Sequence, residues 1–234
     1  MDWRDEVMPI PSTPRDVDRI SAQQQIYTTL KDWIVDGTLT PGEFINDSEI
    51  AKYFSVSRTP VREAILLLSQ QDFVKIMPSK GTKVTETSEE TATYIYEAIS
   101  CLSAEISRLA VRKQKDGDVE RLIELNTDFA SQVASADHAK ILEADANFHN
   151  YILKMADNPY MENCWQQILP HANRYELLYF RSGSNKEQSI LDHRHIIQAI
   201  ANKNEGEAAR FSQQNWIGFF NERLRPQLIH TVKA

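Results

Sequence analysis

Apolar residues recur three and four apart along most of this chain, and the places where that rhythm fails divide it into elements. From about Asp18, Ile26, Leu30, Trp33 and Ile34 keep a helical spacing, and Gly37 followed by Pro41-Gly42 ends that helix. The next stretch, "INDSEIAKYF", puts Ile50, Ala51 and Phe54 on one face behind Asn46, an N-cap with Glu49 three residues on in capping-box order. A tight turn through Ser55 and Ser57 leads into "RTPVREAILLL", where Val61, Ala64, Ile65 and Leu68 form one buried stripe. Thr59 is read as the N-cap of this helix and Pro60 as its first residue, where a missing N–H costs nothing. The period then shortens. Residues 73–77 and 82–84 are short β-prone runs on either side of the turn Pro78-Ser79-Lys80-Gly81.

After residues 85–88 the helical period returns, with Thr87 and Glu90 in another capping-box arrangement. Ala92, Ile95, Ile99, Leu102, Ile106 and Leu109 predict one long amphipathic helix. Further helical patterns cover 122–133, 138–155, 160–180, 187–201 and 205–228, divided at Gly117, Asn158-Pro159, Ser182-Gly183-Ser184 and Asn204. The expected fold is therefore mostly α. A winged helix-turn-helix, three helices plus a small β-wing, spans 19–85, and an all-helical antiparallel bundle of about six helices spans 88–231. Residues 1–18, with Pro9, Pro11 and Pro14 among charges, are expected to form a flexible arm.

Composition narrows the class. A 234-residue chain with 41% hydrophobic and 25% charged residues suits two soluble domains, each with its own core. No apolar run is long enough for a bilayer, and "MDWRDEVMPIPSTPRD" lacks the order of a signal peptide, so the expected location is the cytoplasm. Cys101 and Cys164, the two cysteines, lie far apart without a CxxC partner, and are expected to stay reduced.

Charge complicates the picture. The chain carries a net −7, and residues 1–85 hold 10 basic against 12 acidic side chains. Any attraction to nucleic acid must therefore come from local placement, through Lys52, Arg58, Arg62, Lys75, Lys80 and Lys83. Arg58 and Arg62 lie four apart, off the buried stripe, and point outward from the cap end of their helix. Guanidinium forks there suit guanine edges, and the free N–H groups of the first turn suit phosphate.

In the second half, Asp145 and His149 share a helical face, and His193 and Asn215 follow on later helices. Two imidazoles and a carboxylate suit a divalent ion such as Zn or Ni. His195, two residues past His193, must point elsewhere.

The stretch "GTLTPGEFINDSEIAKYFSVSRTPVREAILLL" resembles the DNA-binding domain of the GntR family of bacterial transcription regulators, without a gap from about Ile26 to Val84. The resemblance implies that Arg58, Thr59 and Arg62 contact operator DNA, with Lys80 and Gly81 at the wing tip near the minor groove. Leu66 and Leu67 stand where polar residues are commoner, and are read as packing toward the second domain. Residues 88–230 resemble the FCD ligand-binding domain of the FadR branch. That implies Asp145, His149 and His193 as metal ligands, with Asn215 at the place of the usual fourth ligand, a histidine, and Arg174 as a pocket arginine for an acidic effector. Implied partners are double-stranded operator DNA, a small organic acid and a second copy of the chain. The expected function is a homodimeric, ligand-responsive regulator, a repressor, with no catalysis. A metal-dependent enzyme acting on a small organic acid and a direct metal sensor are the competing readings.

Overall fold

The computed structural model describes residues 21–135, 137–181 and 187–231. The expected arm at 1–18 and the break at 182–184 lie outside the described residues.

Helix α1 (Ala22–Val35) is capped by Ser21, and Gly37 follows its C-cap at φ 78°, a left-handed position where glycine carries no Cβ penalty. Strand β1 (Phe44–Ile45), helices α2 (Asp47–Tyr53) and α3 (Arg58–Gln70), and strands β2 (Val74–Met77) and β3 (Gly81–Val84) complete the first domain. Its core joins Ile26, Leu30 and Ile34 of α1 to Val61, Ala64, Ile65 and Leu68 of α3, closed by Phe73, Val74 and Val84.

The sheet order is β1-β3-β2, all antiparallel. The wing was expected as a two-stranded hairpin; β1 adds a third strand, pairing Phe44 with Lys83 and Ile45 with Thr82. Two residues give too short a run for alternation to betray it. At the wing tip Lys80 N–H donates to Met77 C=O (3.1 Å), with Pro78 second and Ser79 third at φ 63°, the pattern of a type II turn.

Two caps differ from expectation. Helix α3 starts at Arg58 behind Ser57, two residues earlier than Thr59, so Pro60 is the third helical residue. The change is tolerated because every N–H of the first turn lacks an intrahelical partner. Helix α4 (Glu89–Lys113) is capped by Ser88, whose Oγ accepts from Thr91 N–H, and not by Thr87. Asn46 does cap α2, accepting from Ser48 and Glu49 N–H groups.

The bundle contains α4, α5 (Asp118–Ser135), α6 (His138–Ala156), α7 (Pro159–Arg181), α8 (Glu187–Ala201) and α9 (Glu205–Phe219), followed by one wide π turn at Phe220–Leu224 and α10 (Arg225–Thr231). Helix α4 is the spine, packed most closely along α9 and also against α6 and α7. Tyr96, Ile99 and Ile106 of α4 meet Phe148, Trp165, Trp216 and Phe220 in its core. The last segment was expected as one helix. Pro226 explains the interruption, because it has no N–H for the Glu222 carbonyl four residues back and its ring crowds that carbonyl.

The two domains meet in a polar seam. His171 of α7 stacks on Phe73 (centroids 4.1 Å apart, 8° between planes) and its Nε2 donates to the Gln71 carbonyl at 2.9 Å. Arg174 Nη1 and Nη2 donate to Thr85 Oγ1 (3.0 Å) and Thr85 C=O (2.9 Å), and Tyr175 Oη donates to the Ser88 carbonyl (3.2 Å). Among the described residues no helix is long and apolar enough to cross a membrane, and Cys101 and Cys164 are free and exposed.

Candidate nucleic-acid interface and candidate metal centre

Helix α3 buries Val61, Ala64, Ile65 and Leu68, and the remaining angular range of its first two turns faces outward. Arg58, Thr59 and Arg62 are exposed there, as are Lys80 and Gly81 at the wing tip. Between α3 and the wing runs an open groove of about 720 Å³, lined by Phe44, Asp47, Arg58, Arg62, Leu66, Ile76, Lys80 and Gly81. Leu66 is half-exposed in this groove and does not pack toward the second domain, because the seam is built by Gln71, Phe73 and Thr85 instead.

A feature with no sequence signal is Asp47, the first residue of α2. Arg58 Nη2 donates to both its oxygens (2.7 and 2.8 Å), and Arg62 Nε donates to Oδ2 at 3.0 Å. The turn through Ser55, at φ 55°, folds α3 back across α2 and makes this meeting possible. The Arg58 bond is the main cause holding the Asp47 carboxyl below its usual range. Lys83 is likewise engaged with Glu86, so the positive face is more balanced than a count of cations suggests.

Asp145 and His149 of α6 and His193 of α8 converge in the bundle core. All three are buried, at 7%, 4% and 0% exposure. One ligand atom from each lies within 4.8 Å of the others. His193 Nε2 is 3.6 Å from Asp145 Oδ1, and His149 Nε2 is 3.9 Å from Oδ2. Asn215 of α9 brings Nδ2 to 3.4 Å from His149 Nε2; an amide turned by 180° would present its oxygen at that place. The surrounding rings fix the site: Phe148 stacks on His193 at 3.9 Å, and Trp216 lies 4.8 Å from His149.

Asn126 of α5 was not singled out from the sequence. Its Oδ1 lies 3.1 Å from His193 Nδ1, and its Nδ2 donates to the Ile190 carbonyl at 3.3 Å, so the amide's orientation is set. With Nδ1–H donating to Asn126, His193 directs the lone pair of Nε2 toward Asp145. A carboxylate and two imidazoles oriented in this way fit a divalent cation. His195 stacks on Phe211 at 5.1 Å, apart from this cluster. Arg174 is not among the groups brought together here; its fork lies in the domain seam.

The model of the "Bacterial regulatory proteins, gntR family" matches residues 22–84, and the "FCD domain" model matches residues 94–215. The HTH-type transcriptional regulator YdhC of Bacillus subtilis (strain 168) is 29% identical over 84% of this chain and 87% of its own length. The HTH-type transcriptional repressor RspR of Escherichia coli (strain K12) is 25% identical over 86% and 88% respectively. The solved structure of E. coli McbR/YncC superposes with a TM-score of 0.73, covering 87% of this chain and 99% of that one; at 21% identity the likeness shows the fold.

Proposed function

Because the chain belongs to the GntR family of bacterial regulatory proteins and carries an FCD domain behind its winged helix-turn-helix, we propose that it is a ligand-responsive repressor of the FadR branch. It binds a palindromic operator as a homodimer and is released by a small carboxylate effector at a metal-containing pocket.

The observation that carries this reading is the pair Arg58 and Arg62, exposed together at the start of α3 beside the groove that ends at Lys80. Each arginine has the fork that reads guanine O6/N7, a contact worth about 1–3 kcal/mol of discrimination. On this reading Thr59 meets a phosphate oxygen at the helix start, and Lys80 and Gly81 meet the neighbouring minor groove. With a net charge of −7, one head holds DNA weakly, and two heads on half-sites about one helical turn apart are required. RspR, named as a repressor, supports the direction of control.

In the bundle, Asp145, His149 and His193 would hold a divalent ion, Zn or Ni, with Asn215 alongside. When bound there, such an ion would supply a positive centre for the effector's carboxylate. Asn126 keeps His193 in the ligating tautomer, and Phe148, Trp165 and Trp216 exclude water around it. A coupling of about 1–3 kcal/mol between liganded and free states changes operator affinity about 5–150-fold.

Gel retardation with the DNA upstream of the chain's own gene tests the reading. Arg62→Ala is expected to weaken specific retardation about 10-fold or more while leaving a folded dimer by circular dichroism and gel filtration. Unaltered retardation by that variant refutes the assignment.

A further inference from the structure

Arg174 is buried to 7% exposure, yet both of its bonds go to neutral oxygens, those of Thr85. No carboxylate among the described residues forms an ion pair with it, and burial lowers its pKa from the usual value. Buried guanidinium groups ordinarily have a carboxylate or phosphate partner, and such bonds are roughly twice as strong as neutral ones. Thr85 is a weak substitute for the anion this group favours.

A cavity of about 490 Å³ opens beside that pair, in the seam between the domains and apart from the Asp145–His149–His193 cluster. Ile95 of α4 and Ile168 of α7 give it apolar walls. Arg174 lies deep, while Asp72 and Glu86 are exposed at its margin, Glu86 already engaged by Lys83. A simple anion meets two carboxylates on its way in. A molecule with a carboxylate at one end and an ammonium at the other matches both charges.

We propose that the seam cavity is a second ligand site, taking a small zwitterion of the amino-acid class whose carboxylate replaces Thr85 on Arg174 and whose ammonium faces Asp72. The site needs no metal and stands independently of the pocket proposed above. Its consequence is mechanical. Thr85 belongs to the short link between β3 and α4, and among the described residues Arg174–Thr85 joins His171–Gln71 as a polar tie from α7 to the DNA-reading head. Drawing Arg174 away from Thr85 loosens the DNA-reading head.

Isothermal titration of the full chain tests this, with leucine and 6-aminohexanoate as zwitterions and hexanoate and hexylamine as single-charge controls. At least one zwitterion is expected to bind at millimolar concentration or better, more tightly than either control. Arg174→Met should weaken it at least about 10-fold, the scale of a lost charged hydrogen bond. Asp72→Asn should weaken the zwitterion and strengthen hexanoate. Because Arg174→Met disturbs the seam itself, Thr85→Val provides the opposite sign: it removes the competing hydroxyl and should tighten binding. Equal binding of hexanoate, no binding by either zwitterion, or binding indifferent to Arg174→Met and Thr85→Val overturns the proposal. So does loss of binding on chelation, which assigns the ligand to the histidine cluster. Operator retardation on the same samples is scored separately, so a failure of DNA reading is distinguishable from a failure of the seam site.

Discussion

Replacing Asp47 with Asn tests whether Arg58 and Arg62, proposed above to read DNA, act as a positioned pair. In the free protein one carboxylate receives three hydrogen bonds from Arg58 and Arg62 at 2.7–3.0 Å. All three side chains are partly exposed, so the folding cost is small, about 0.2–1 kcal/mol per pair. The effect on DNA has two opposing parts. One fewer negative charge at the groove strengthens contact with phosphates of any sequence, and one additional phosphate contact steepens the salt slope by about 0.9. Loss of the anchor frees both guanidinium groups to rotate, so the roughly 1–3 kcal/mol of discrimination each can supply is reduced by their ordering cost. Specific and non-specific affinities therefore converge, and their ratio should fall by about 10-fold. Fluorescence anisotropy against a selected operator and a scrambled duplex, at several salt concentrations, measures both parts. An unchanged ratio, or a uniform loss on both duplexes, refutes the positioning argument.

Two further outcomes follow from the bundle and the seam. Asn126→Ala should cut metal retention about 10–100-fold, measured by elemental analysis of the purified protein, while Asn126→Asp, which keeps an oxygen acceptor for His193 Nδ1, should restore much of it. Burial, aided by the charge of Arg174, lowers the His171 pKa to about 4. The protein with its domains docked then binds fewer protons than the undocked chain between pH 6.5 and 4, so seam stability is full above that window and lost as pH falls through it. The loss should reach up to about 3 kcal/mol, seen as protection factors of seam amides, corrected for the pH dependence of intrinsic exchange, falling below pH 6 in the native chain and remaining constant in His171→Gln.

The helical rhythm was sufficient to read both domains and the boundaries of α8, because amphipathic stripes must face a core whatever their neighbours are. It was equally able to bring Asp145 and His149 together, since a four-residue separation fixes a shared face. Strand β1 and the caps at Ser57 and Ser88 were less legible: each depends on one or two residues whose role is decided by a partner distant in sequence. Asp47 and Asn126 show the same limit more sharply. Each is an ordinary polar residue on its own helix, and acquires a role only when α3 folds across α2 or α8 docks on α5. For Arg174, which the resemblance implies as a pocket arginine, the location in the seam depends on the register of α7 against the wing domain and is invisible in the local pattern.

The union of Phe73 with His171 also bears on how such proteins can be recombined. A chimera joined at residue 86 would inherit its Gln71, Phe73 and Thr85 from one parent and its His171, Arg174 and Tyr175 from another, although no boundary in the chain looks cleaner. Grafting a foreign sensor onto this head thus requires transplanting one face of α7 together with it; a fusion that ignores this pairing should give a protein whose halves each fold but no longer communicate.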